Sequence, residues 1–124
     1  MVEYNFYGHP ATADQVARHV GPGWRKLILD LLAKLEALGW DGGLNQVKEK
    51  FGTLRFYWSN NIEGIHGSIA EDVVAQAEDR SGYTCEQCGE HGELRGHGWV
   101  VTLCAKCWEK REEKRNAALA RDVS

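Results

Sequence analysis

The sequence has little of what membrane-spanning, secreted and disulfide-rich proteins require. Its 124 residues include four cysteines and two prolines. No apolar run approaches the roughly 18 residues of a membrane span, so we expect no membrane partner. The first six residues, MVEYNF, contain neither the basic nor the apolar region of a signal peptide. Because cysteines in two close pairs without a secretory signal are typical of cytosolic thiolates, we predict a cytoplasmic protein.

Basic residues are fewer than acidic ones. The chain has 15 Lys and Arg against 18 Asp and Glu, a formal net charge of −3. Proteins that bind nucleic-acid backbones usually have a net positive charge or a basic face, so the overall balance argues against a duplex-binding protein.

Several catalytic motifs are absent as well. The sequence contains no glycine-rich phosphate loop, no Gly-x-Ser-x-Gly and no His-Glu-x-x-His. Around His97 it lacks the acidic and histidine partners that a ββα-metal nuclease needs. We therefore predict a non-enzymatic protein with no catalytic residues.

The four cysteines form two Cys-x-x-Cys pairs near the C-terminus. Fifteen residues separate the pairs, a spacing typical of structural zinc sites. Four thiolates complete the tetrahedral coordination of Zn²⁺ and leave no position open for water or substrate. His91 and His97 lie between the pairs and are weaker candidates, and a redox Cys-x-x-Cys is the remaining alternative. The predicted zinc ligands are Cys85, Cys88, Cys104 and Cys107.

The residues before the cysteines predict helices around a β-hairpin. Thr12 and Gln15 form a capping-box pattern, and Ser68 is a second candidate N-cap. Leucines recur at three- and four-residue steps after Pro22, which indicates an amphipathic helix whose stripe is either a core face or a dimer seam. The predicted elements are an extended aromatic arm at 1–10, helices at 13–20 and 22–38, a hairpin at 44–59, a loop at 60–67 and a helix at 68–80.

The predicted hairpin turns at Gly52 and places cations on one face. Side chains alternate between the two faces of each strand, and Val47, Glu49 and Phe51 should share one face of the first strand. The opposite side should carry basic residues and Tyr57, a pattern that fits either RNA binding or an ordinary solvated face. The candidate nucleic-acid-binding residues are Lys48, Lys50, Arg55 and Arg95.

A boundary at Ser81-Gly82 divides the chain into residues 1–80 and a zinc-binding unit at 81–124. The unit should contain a cysteine knuckle, a hairpin around His97 and a helix at about 105–121. This order is that of a treble-clef zinc finger, with a zinc ribbon as the alternative. The predicted fold is α+β: helices packed on a β-hairpin, followed by a four-cysteine zinc unit.

Three blocks carry a family resemblance. They are Gly23-Trp24 with the helix that follows, QVKEKFGTLRFY at 46–57, and TCEQCG at 84–89 with GWVVTLC at 98–104. With these motifs the chain resembles a group of small, uncharacterised zinc-binding proteins of bacteria and their phages. In that group the last metal position is often His, so Cys107 is a permitted variant. The resemblance implies zinc and no activity, and its phage setting implies action against host machinery or host defence.

Three functions follow as hypotheses. The leading one is a non-enzymatic zinc protein that acts as a protein-interaction module or inhibitor, with another protein as its partner. The first alternative is a nucleic-acid-binding zinc finger that uses the basic hairpin face. The second is an enzyme whose site leaves no sequence motif. The sequence fixes neither the target nor the oligomeric state.

Overall fold

The computed structural model describes residues 3–123 and has an α+β architecture with two sheets. A 3-10 turn at Pro22–Trp24 leads into the second helix. Over the described residues, no helix is long and apolar enough to cross a membrane. The elements are β1 Glu3–Phe6, β2 His9–Thr12, α1 Ala13–Ala17, α2 Arg25–Ala37, β3 Gly43–Lys50, β4 Thr53–Trp58, α3 Gly64–Ser81, β5 Glu93–His97, β6 Trp99–Leu103 and α4 Ala105–Val123.

The larger sheet has four strands in the order β2-β1-β3-β4. The predicted arm forms β1 and β2, an antiparallel pair, while Met1 and Val2 lie outside the described residues. β1 also pairs in parallel with β3 through Asn5 and Phe6. The sheet is therefore larger than the single hairpin that the sequence predicts, since two four-residue strands are too short to show clear alternation.

The predicted hairpin is present as β3 and β4, which pair from Leu44–Trp58 to Lys50–Thr53. Phe51 and Gly52 form its turn with φ angles of 54° and 79°. Two successive positive φ angles are those of a type I′ hairpin turn, which favours glycine at the second position. The prediction that Phe51 shares a strand face with Val47 is therefore wrong. Phe51 lies in the turn and is 67% exposed.

The core forms between one face of this sheet and the helices. Trp24, Ile28 and Leu35 are fully buried, which confirms the core-face interpretation of the leucine stripe. Tyr4 closes one side of the core, and its hydroxyl donates to Glu36 Oε1 at 2.6 Å. The other buried side chains are Phe6, Ala11, Val16, Ala17, Leu31, Leu32, Trp40, Leu44, Val47, Leu54, Phe56, Ala70 and Val74.

Two predicted helix boundaries differ from the structure. The capping box of Thr12 and Gln15 is present, but α1 ends at Ala17 rather than at residue 20. α3 begins at Gly64, so the predicted loop at 60–67 is wrong in its second half. Asn60 holds this first turn, accepting from the N–H of Ile62 at 2.9 Å and donating to the carbonyl of Gly67 at 3.1 Å. These side-chain hydrogen bonds help to offset the weak helix propensity of a glycine-rich segment.

The segment after α3 is joined to the core by hydrogen bonds. The indole Nε1 of Trp24 donates to the carbonyl of Thr84 at 2.8 Å. The Thr102 hydroxyl donates to the carbonyl of Gly52 at 2.6 Å. Both bonds cross the predicted division at residue 81, so the cysteine-bearing segment rests on the core at two separate places.

We expect Trp24→Phe to lower the free energy of unfolding by about 2–4 kcal/mol. Phe keeps an aromatic ring but lacks the N–H donor, so the carbonyl of Thr84 loses its bond and a small cavity remains. Trp99→Phe is the matched control, because Trp99 is 74% exposed and its loss should change stability by less than about 0.5 kcal/mol. Urea unfolding measures both, and equal losses would contradict the role given to Trp24.

Candidate metal centre

The four cysteines lie in two segments of the chain that the fold brings together. Cys85 and Cys88 lie in the loop that follows α3. Cys104 follows directly after β6, and Cys107 lies in the first turn of α4. All four sulfur atoms lie within 4.8 Å of one another. Two segments 16 residues apart thus converge on one point, as the cysteine spacing predicts.

The sulfur distances suit a metal ion and not a disulfide. The Sγ atoms of Cys88 and Cys104 are 3.6 Å apart, whereas a disulfide needs about 2.05 Å. Ligands at about 2.3 Å from a tetrahedral ion lie about 3.8 Å from each other. The four cysteines are free and could hold one metal ion at the centre of their cluster.

Backbone N–H groups around the first cysteine favour its thiolate. Burial acts to raise the pKa of Cys85, but its sulfur accepts hydrogen bonds from the N–H groups of Cys104, Cys88 and Gln87. These bonds outweigh burial and lower the pKa of Cys85 to about 6. The carbonyl of Cys85 also accepts from the N–H of Gly89 at 3.0 Å, which closes the turn around the sulfur.

The thiol of Cys107 opposes further ionisation of the cluster. The hydrogen bond with Cys104, then burial, then contacts with Cys85 and Cys88 raise the pKa of Cys107 to about 12. A hydrogen bond between thiols stabilises the protonated form, and negative charges at this distance repel each other. A divalent cation among the four sulfurs offsets that repulsion, so the donor set fits a metal ion better than four unliganded thiols.

The core packs directly against the cysteine knuckle, the turn at residues 85–89. The N–H of Gly23 donates to the carbonyl of Glu86 at 2.8 Å. A Cβ atom on Gly23 would lie 2.0 Å from the carbonyl oxygen of Cys85, and one on Gly21 would lie 2.3 Å from that of Glu86. Only glycine permits this approach, so Gly21 and Gly23 are required for the knuckle to dock.

Glu86 links the knuckle to the second hairpin. Its N–H donates to the carbonyl of Thr102 at 2.9 Å, and its Oε2 accepts from the N–H of Thr102 at 2.6 Å. Burial raises the pKa of the Glu86 carboxyl, partly offset by the Thr102 hydrogen bond. The carboxylate therefore holds β6 in place just before Cys104.

The two histidines have other neighbours. The ring of His91 stacks on Tyr83 with centroids 6.4 Å apart, and the ring of His97 lies 5.9 Å from that of Trp108. Within residues 3–123, the cluster of candidate metal ligands consists of the four cysteines and includes neither histidine.

The structure brings together three of the four predicted nucleic-acid-binding residues. Lys48 is paired with Arg55 in the β3–β4 register, and Lys50 with Thr53, which places these cations on the face opposite the buried side chains. Lys48 Nζ lies 5.8 Å from the centre of the Tyr57 ring.

Arg95 lies on a different sheet from these residues. Its Nε donates to the carbonyl of Leu103 at 2.9 Å, and its Nη2 lies 3.8 Å from Glu93 Oε2. With its side chain only 26% exposed, Arg95 mainly supports the second hairpin just before Cys104.

Sequence reasoning missed the residues that support the cysteines. Gly21 and Gly23 contact the knuckle from more than 60 positions away in the chain, and Trp24 contacts Thr84, just before the knuckle, from 60 positions away. No local pattern reports such contacts. The clustering of glycine around Pro22 is a signal for a special backbone site, although the same residues also fit the end of one helix and the start of the next.

Comparison of the chain with protein-family models, with curated proteins and with solved structures gives no match.

We expect Cys85→Ser to lower metal affinity by more than about a hundredfold and to raise hydrogen exchange across residues 81–123. Loss of a supporting contact alone typically costs about 10–100-fold, and loss of a ligand should cost more. His91→Ala and His97→Ala are the matched controls and should retain one metal ion per chain. Metal analysis after dialysis measures this, and a full metal content in Cys85→Ser would overturn the ligand assignment.

Proposed function

We propose that the protein is a non-enzymatic zinc protein whose metal centre is structural and whose surface binds another protein. Four thiolates in a closed cluster suit Zn²⁺ and leave no open coordination position for catalysis. The order of knuckle, β5–β6 hairpin and α4 with Cys107 in its first turn supports a treble-clef plan for residues 81–123. In this proposal the ion stabilises a binding surface and takes no part in chemistry.

The observation that carries the protein-binding proposal is an exposed apolar surface beside the metal unit. Phe51, Tyr83 and Leu94 are 67%, 60% and 59% exposed and surround a depression of about 380 Å³. Apolar side chains grouped in this way commonly mark interaction sites, unlike single exposed ones. We call this surface, with its acidic rim, the acidic depression. The rim consists of Glu78, Asp79 and Glu93.

The chemistry of the acidic depression indicates the class of partner. Three acidic side chains next to exposed aromatic and aliphatic side chains complement a basic segment that carries an apolar anchor residue. The net charge of −3 would attract such a segment from a distance. We therefore propose a cationic protein segment as the partner. The resemblance to bacterial and phage proteins extends the proposal to host machinery or host defence.

The depression should depend on the metal. Leu94 and Glu93 lie on β5, and Tyr83 lies two residues before Cys85. Leu94 is also in contact with the β3–β4 turn, since its Cδ1 lies 2.5 Å from where a Cβ on Gly52 would be. Release of the ion would free the hairpin from the knuckle and separate the two sides of the depression.

A second candidate function is nucleic-acid binding. It is favoured by the shared face of Lys48, Lys50, Arg55 and Tyr57, since cations next to an exposed aromatic ring suit single-stranded RNA. Binding of this kind would weaken steeply with salt and when the cations are replaced by Glu.

The protein purified from cells should contain about one equivalent of zinc. Replacement by Co²⁺ should give the intense absorption of a tetrahedral tetrathiolate, which colourless Zn²⁺ cannot show. Elemental analysis together with the cobalt spectrum checks the ion and its geometry. Iron in place of zinc, or an octahedral cobalt spectrum, would contradict the zinc assignment.

A tagged, metal-loaded protein should recover a protein partner from lysate after nuclease treatment, and Tyr83→Arg/Leu94→Arg should reduce the recovery at least tenfold. The new cations would repel a basic partner and remove its apolar contacts. Tyr57→Arg is the matched control, because Tyr57 is an exposed aromatic residue on the other sheet face and should leave recovery unchanged.

The same experiment separates the two functions. Recovery of nucleic acid alone, abolished by nuclease and by Lys48→Glu/Arg55→Glu, would favour the second candidate. Equal recovery by the depression variant and the Tyr57→Arg control would overturn the proposed surface.

A further inference from the structure

A second concave surface lies between α2 and α3 and shares no lining residue with the acidic depression. It is a groove of about 480 Å³ that ends at the cysteine knuckle. Leu27 and Leu31 of α2 form one apolar wall, and Val73 and Ala77 of α3 form the other. We call this surface the interhelical groove.

The charge of the interhelical groove is opposite to that of the acidic depression. Its lining includes four cationic side chains and one acidic side chain: Arg25, Lys26, Lys34, Arg80 and Asp30.

Two of these cations already have partners. Arg25 forms an ion pair with Asp14, and Lys26 Nζ lies 2.7 Å from Asp30 Oδ2. Lys34 and Arg80 form no ion pair with any residue in the part of the chain that the structure describes. They come from opposite walls, and both are close enough to Asp30 to lower the pKa of its carboxyl, although Lys26 is the main cause.

We propose that the interhelical groove binds a small organic phosphate. The phosphate group would lie between Lys34 and Arg80, where a planar guanidinium fork and a mobile ammonium suit a dianion. The apolar part of the ligand would lie against Leu27, Leu31 and Ala77. Because Asp30 already pairs with Lys26, an anion at this position would supply the negative charge that Lys34 and Arg80 lack.

The size of the groove sets the size of the ligand. Sites for small molecules typically measure about 300–1,000 Å³, and the groove is near the lower end of that range. A free phosphate would leave the apolar walls exposed to water, while a phosphate with one aromatic or short aliphatic group would cover them. Burial of such a group favours binding by at least about tenfold over inorganic phosphate.

Titration of the metal-loaded protein, followed by amide chemical shifts in NMR, tests this site. Phenyl phosphate should shift residues 27–34 and 73–80 and bind at least about tenfold more tightly than inorganic phosphate. Phenylacetate has the same ring with a single negative charge and should bind more weakly than phenyl phosphate. Equal affinities for phenyl phosphate and inorganic phosphate, or shifts confined to residues that do not line the groove, would overturn the proposal.

A pair of variants separates the site from general charge effects. Lys34→Gln/Arg80→Gln should weaken phenyl phosphate binding at least about tenfold, since both cations are exposed and their loss leaves the core intact. Lys48→Gln/Arg55→Gln makes the same change in net charge on the β3–β4 face and should leave binding unchanged. Equal weakening in both variants would show that the binding is non-specific electrostatic attraction and would overturn the proposed site. None of these outcomes depends on a protein partner.

Discussion

The contact between the Gly21–Trp24 segment and the cysteine knuckle connects the two halves of the molecule. Its backbone and indole bonds, from Gly23 to Glu86 and from Trp24 to Thr84, lie next to Cys85, a candidate metal ligand. Because the indole is fully buried in the core, the first cysteine pair is held by the same packing that holds α2. An ion held by the four cysteines would thereby be coupled to core stability, and the knuckle end of the interhelical groove depends on the same contact.

Local and periodic features were predictable from the sequence. The leucine spacing after Pro22, the capping box at Thr12 and the hairpin turn at Gly52 each depend on residues a few positions apart. The convergence of the four cysteine sulfurs was also predictable. A thiolate metal site requires ligands of this type at this spacing, and both can be read from the sequence.

Long-range contacts were not predictable in the same way. The parallel pairing of β1 with β3 joins residues almost forty positions apart, and strands of four residues carry too little alternation to indicate it. The start of α3 was missed for a different, local reason. It depends on hydrogen bonds of the Asn60 side chain and not on helix propensity. Nor does composition reveal that α2 and α3 gather cations along one groove, since the chain as a whole is acidic.

The last helix, α4, carries a net charge opposite to that of the rest of the chain. At 19 residues, α4 is about 28 Å long, and from residue 109 to 121 every residue except the half-buried Glu112 is exposed. Residues 105–123 carry six cationic and four acidic side chains, a charge of +2, so the rest of the chain carries −5 against the total of −3. Charges separated over this length form a large dipole moment. At low ionic strength the molecule would turn in the field of a charged partner before contact, presenting the helix to anions and the body to cations.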